Sequence, residues 1–202
     1  MTQAFENFLR QFHMTGSEKA DGYSRDAFEG LADHEKTTVF DMLVQELPWA
    51  SDWLFRLDPG RALAVATELE PRMRGRNSGV HWLQRQIVDL TGDLRYQQHM
   101  IEDYPGYDER ARPGVIASIA CTPASEAAIA FFRQVILAGE EGGAMHAAAR
   151  ALLRALQVPR ASAQEEAHYL GLEAQLCGAD RETRSAAIEA LRRYGPDGTA
   201  IR

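Results

Sequence analysis

Six histidines, two cysteines and a scatter of carboxylates are the residues of this 202-residue chain that could do chemistry, and their spacing decides what each can do. His34-Glu35 has no second histidine four residues after the first, so the two-histidine helix of a metalloprotease is not written here. His81, His99, His146 and His168 each stand alone, and a lone histidine is more often a surface or core-edge residue than a ligand. Glu165-Glu166 with His168 could bring three donors to one helix. Glu165, however, lies three residues after Ser162, the spacing of a capping box that already employs its carboxylate. Cys121 and Cys177 sit singly in apolar helical stretches, which argues against a disulfide framework and against a thiolate zinc site. No nucleophile elbow, phosphate loop or dinucleotide fingerprint is present. Gly139-Glu140-Glu141-Gly142-Gly143 is glycine-rich, but its two carboxylates would repel a phosphate, and it reads as an inter-helix loop. The expectation is a protein without catalytic residues, cofactor or metal.

Two segments suit binding better. The stretch Glu102-Asp103-Tyr104-Pro105-Gly106-Tyr107-Asp108-Glu109 sets four carboxylates around two tyrosines. Tyrosine offers rigid contact area with a polar tip, and the carboxylates would attract Lys or Arg from a partner. Glu102, Asp103, Tyr104, Tyr107, Asp108 and Glu109 are therefore the expected partner-binding residues, with an ordinary solvated turn as the plain alternative. Trp49 and Trp53, four residues apart, share a helical face that is expected in the core. Arg72, Arg74 and Arg76 form a small basic cluster, best read as a solvated helix end where cations are favoured.

The elements that must position these residues are helices. Alternating strand patterns are absent, whereas apolar residues recur at spacings of three and four, as in Phe5, Phe8, Leu9 and Phe12, or Val39, Phe40, Leu43 and Leu47. Start signals stand at Ser24, Asp33, Asp58-Pro59, Asp93, Thr122-Pro123 and Ser162. Pro48 and Gly92 stop helices, and Pro71 must kink or shorten the one running towards Gly75. The helices also repeat. A shift of 39 carries Ala124, Glu126, Ala128, Phe131, Leu137 and Gly139 onto Ala163, Glu165, Ala167, Leu170, Leu176 and Gly178. A shift of 38 carries Ala149, Leu153 and Leu156 onto Ala187, Leu191 and Tyr194. A weaker copy aligns Pro59, Ala64, Met73 and Gly75 with Pro123, Ala128, Leu137 and Gly139. Helix pairs repeating every forty residues or so imply an irregular α-solenoid of stacked antiparallel pairs, all-α, with Ala149, Leu153, Ala187 and Leu191 buried. One helical-repeat domain over 1–202 is expected, with sub-units 1–103 and 113–202 joined by the 104–112 loop.

The stretch Asp180-Arg181-Glu182-Thr183-Arg184, followed by Ala187, Leu191 and Tyr194-Gly195, resembles the second helix of a HEAT-like repeat. The likeness covers residues 120–195 well and 25–92 loosely, and 102–112 departs from it. It implies a fold and no active site.

The net charge is −7, shared as −4 over residues 1–101 (11 Lys/Arg against 15 Asp/Glu) and −3 over 102–202 (11 against 14). Such a chain lacks the basic footprint of direct nucleic-acid binding, and it carries no long apolar run for a membrane. Small acidic HEAT-like proteins resemble immunity proteins of bacterial toxin systems, which implies a cytoplasmic protein that occludes a basic toxin domain such as a nuclease. The competing readings are a non-inhibitory adaptor and, with less support, a HEAT-like glycosylase or lyase. A glycosylase would need a basic groove, and a lyase would need Cys121 or Cys177.

Overall fold

A computed structural model describes residues 1–15, 17–20, 22–76, 79–141 and 143–194, so Gly142 and Gly195 of the motifs above lie outside it. Among the described residues every regular element is helical and no strand occurs. None of these helices is long and apolar enough to cross a membrane. The chain forms two compact units, residues 1–90 and 91–202. The 104–112 segment belongs to the second of these units.

In the first unit, α1 (Gln3–Phe12) begins at Thr2, whose hydroxyl accepts from the Phe5 amide at 3.2 Å. Its inward residue Phe8 is fully buried, stacked on Tyr23 with centroids 5.2 Å apart and edged by Phe28 at 5.8 Å. After α2 (Ser17–Ala20), the helix expected behind Ser24 is a single 3-10 turn, Arg25–Ala27. The Ser24 hydroxyl bonds Asp26 and Gln11 and so caps nothing. In α3 (Asp33–Val44) the N-cap is Ala32, one residue ahead of the expected Asp33. The cap bond comes from Glu35, which reaches back to the Ala32 amide at 3.0 Å. The same carboxylate also accepts from the Thr2 amide at 2.8 Å and the Thr2 hydroxyl at 2.7 Å, tying α3 to the start of α1.

Glu35 is buried, and burial alone would raise its pKa; the Thr2 hydroxyl and the Ala32 and Thr2 amides outweigh this and hold it down at about 2. A carboxyl depressed in the folded state stabilises above its unfolded pKa, roughly 4.3, and that stability is lost as pH falls through the folded value. Glu35→Gln should therefore flatten the loss of stability between about pH 4.5 and 2 relative to the native chain. Urea midpoints of both proteins across that window check it, and parallel curves would remove Glu35 as the cause.

The turn after α3 leads to α4 (Ser51–Leu57), then to α5 (Pro59–Met73), which Asp58 caps through the Arg61 amide at 3.0 Å with Pro59 at the first position, as the sequence implies. Pro71 stands in the last turn of α5, and the chain leaves at Gly75 with φ +66°. Trp53 stacks on Phe28 at 4.3 Å, and Trp49 packs on Tyr23; both are half-buried at the core edge. The first unit closes with α6 (Val80–Thr91), whose buried Gln84 donates to buried Glu70 of α5 at 2.8 Å.

In the second unit, α7 (Arg95–Asp103) precedes α8 (Arg112–Cys121), with the 3-10 turn Tyr104–Gly106 between them. Thr122 ends α8 instead of starting the next helix; its hydroxyl donates to Ile119 O at 2.6 Å and accepts from Gln97 at 2.6 Å. Ser125 is the cap of α9 (Glu126–Ala138), accepting from the Ala128 amide at 3.1 Å. Then come α10 (Ala144–Ala155), α11 (Ala163–Leu176) and α12 (Arg181–Ala190). The capping box at α11 is formed: the Ser162 hydroxyl accepts from the Glu165 amide at 3.2 Å, and Glu165 accepts from the Ser162 amide at 2.9 Å.

α9 packs on α10 and α11 on α12, α10 also meets α8 and α11, and α12 contacts α9. Ala149, Leu153, Ala187 and Leu191 are all buried. The 39-residue register is shifted by one in space, however. Phe131 is buried while Leu170 is 50% exposed, and Ala128 is buried while Ala167 is exposed. The inward residues Ile129, Phe132 and Ile136 correspond instead to Tyr169, Leu172 and Leu176. Because α9 is apolar nearly all round, its letters fit two registers equally, and only packing selects the phase. The weak third copy fails the same way, since Ala64 is exposed and α5 buries Ala62, Ala66 and Glu70.

Candidate functional site

The six expected binding residues lie where α7 hands over to α8, and they divide into two groups. Glu102 and Asp103 belong to the last turn of α7, where unpaired carbonyls already make the potential negative. Tyr104 and Tyr107 turn inward and are 4% and 7% exposed. They are thus not the free contact area that sequence suggests, because aromatic rings beside a helical core gain more by burial than by facing water. Tyr104 meets Phe131 of α9 edge-on at 4.8 Å, and its hydroxyl donates to Glu140 Oε2 at 2.8 Å. Burial, with Glu140 next to it, raises the Tyr104 pKa and keeps the phenol protonated.

Arg112 closes the arrangement. It bonds Glu140 at 3.0 Å, donates from Nε to Tyr107 O at 3.1 Å, and lies over the Tyr104 ring at 5.4 Å. Asp108 caps the turn into α8, accepting from the Ala111 amide at 2.9 Å. The result is a braced turn that leaves Glu102, Asp108 and Glu109 exposed and Asp103 half-exposed. Glu140 and Arg112 are the parts that sequence reasoning missed. Glu140 was visible only as a loop carboxylate, 36 residues from the tyrosine it serves.

Glu166 pairs with Arg160 through two hydrogen bonds, Glu165 is spent on its capping box, and the His168 ring lies 3.1 Å from the Tyr194 hydroxyl. Among the described residues no three His, Cys, Asp or Glu side chains converge as metal donors would. Cys121 is exposed at the end of α8, whereas burial, then Glu173, pushes the Cys177 thiol up. His81 is buried in α6; burial, then the Arg85 charge, lowers its pKa to about 4, so its ring is neutral near pH 7.

In the first unit, the Lys19 ammonium sits 4.8 Å from the Tyr23 ring and 5.1 Å from those of Phe12 and Trp49, and it bonds Glu46 at 2.7 Å. That aromatic cage is already filled by the protein's own cation. A cleft of about 370 Å³ nearby is crossed by Asp52, which accepts from Arg85 at 2.8 Å and from Gln86.

No protein-family model matches the chain, and no characterised protein or solved structure matches it either.

Proposed function

We propose that this chain is a partner-binding protein of the immunity type, which neutralises a basic bacterial toxin domain by occlusion and performs no catalysis of its own. The observation that carries the reading is the braced acidic turn. Glu102, Asp108 and Glu109 are exposed on a turn whose underside is anchored by Tyr104, Tyr107, Arg112 and Glu140. A rigid display of carboxylates loses little entropy on binding, and the −7 chain behind it steers a cationic partner. Carboxylates so placed would occupy positions that a nuclease uses for phosphate. The packing of α9 on α10 and of α11 on α12 supports reading this part of the chain as an irregular HEAT-like solenoid. A cytoplasmic site of action completes the proposal.

The direct test is co-expression with toxins encoded by neighbouring genes, followed by kinetics on the pair that forms. Replacing Asp103, Asp108 and Glu109 by Asn, Asn and Gln should slow association about tenfold at low salt and flatten its salt dependence, with little change in dissociation. Asn at 108 keeps the capping acceptor, so the fold should hold. A captured partner whose activity is unaffected by binding would replace inhibition with an adaptor role.

A further inference from the structure

We infer that the cage formed by Phe12, Tyr23, Glu46 and Trp49 is a binding site for a lysine side chain of a partner protein, which Lys19 occupies in cis until the partner displaces it. The chain carries twenty arginines and two lysines, Lys19 and Lys36. Lysine stands here, where the site suits a compact ammonium with three donors rather than a planar guanidinium. The Lys19 ammonium bonds Glu46 at 2.7 Å, the Phe12 carbonyl at 3.0 Å and the Tyr23 hydroxyl at 3.2 Å. The rings of Tyr23, Phe12 and Trp49 lie 4.8, 5.1 and 5.1 Å from it. Three acceptors for three N–H groups, with ring faces around the charge, are the contacts by which a protein recognises an alkylammonium group.

The walls of the cage do not come from α2. Phe12 ends α1, Tyr23 follows α2, and Glu46 and Trp49 lie in the turn between α3 and α4. They also hold one another: Tyr23 packs on Trp49 at 5.5 Å, and Phe8 packs on Phe12 at 5.8 Å and on Tyr23 at 5.2 Å. The Tyr23 hydroxyl donates to Glu46 at 2.6 Å. A one-turn helix such as α2 is not stable by itself, and Lys19 supplies bonds from it to α1 and to the turn before α4. Withdrawing Lys19 would leave a formed cage around a carboxylate without its cation, which favours any ammonium that can reach it. The site is within reach, since Lys19 and Glu46 keep 21% and 17% of their side-chain surface in water. A tethered ammonium acts at a local concentration on the order of mM, so a partner lysine displaces it when further contacts deliver that lysine. The basic partner proposed above would supply it, and the inference rests on that reading only for the source of the lysine.

The test uses butylammonium, a lysine side chain without its backbone, and N-acetyl-lysine amide, the same side chain on a peptide unit. Lys19→Ala should melt lower than the native chain. Both probes should restore its melting temperature saturably, where sodium chloride at equal ionic strength does not. Adding Trp49→Leu should weaken that rescue about tenfold, the worth of a partly desolvated cation–π contact. The native chain gives a readout that depends on no variant, because isotopically labelled lysine yields side-chain signals from Lys19 and Lys36 alone. The three rings should displace the Lys19 signal, and butylammonium up to ~100 mM should move it towards that of exposed Lys36, at concentrations about tenfold above those the variant needs. A Lys19 signal that stays in place over that range would overturn the inference. So would a folded Lys19→Ala variant that gains no more from butylammonium than from sodium chloride. Neither result bears on the acidic turn, whose triple substitution tests the basic partner separately.

Discussion

Leu191→Asp is expected to lower the unfolding free energy by about 4 kcal/mol. Leu191 is fully buried at the end of α12, the helix that packs on α11 and on α9. The substitution removes an apolar side chain from that junction and puts a carboxylate there with no cation arranged to receive it. Both terms act in the same direction, which makes this one of the largest single-residue effects in the second unit. Arg192, the next residue, is the control. It is exposed and pairs with Glu189 at 2.8 Å in water, so Arg192→Ala should cost less than about 0.5 kcal/mol. Urea unfolding of the two variants separates the cases, and a Leu191→Asp midpoint equal to the native one would place α12 outside the core.

Tyr104 should show the second large effect, in two graded steps. Tyr104→Phe keeps the ring against Phe131 and deletes only the bond to Glu140, which still has Arg112; a loss of about 1 kcal/mol is expected. Tyr104→Ala also empties the space that the ring fills, raising the loss to about 3–4 kcal/mol. Because the ring faces inward, truncation should register first as lower stability, with faster amide exchange in the last turn of α7, and only secondarily in partner dissociation. If Tyr104→Ala left stability intact and changed only dissociation, the residue would be a surface anchor after all.

Much of the helical layout is legible in local sequence, because its causes are local. Asp58-Pro59 and the Ser162–Glu165 box are satisfied by amides within three residues, so the pattern of letters already contains the bond partners. Ser24, Asp33 and Thr122 mislead for the opposite reason. Ser24 is drawn to Gln11 and Asp26, Thr122 to Gln97, and the cap of α3 is taken over by Glu35, whose position Thr2 fixes from 33 residues away. A capping residue with a distant competitor cannot be told from one without.

The acidic turn divides along the same line. Composition and spacing alone are enough to find Glu102, Asp103, Asp108 and Glu109 and to make the chain acidic and helical, since charge and periodicity are properties of the letters. The inward turn of Tyr104 and Tyr107 was decided by Phe131, Glu140 and Arg112, which come together only when α9 and α8 pack beside α7. The phase of α11 against α9, and the gathering of Phe12, Tyr23, Glu46 and Trp49 around Lys19, were decided in the same way. An amphipathic stripe sets which residues avoid water. Which neighbour each then touches depends on the crossing of whole helices, and the helical period does not encode that crossing.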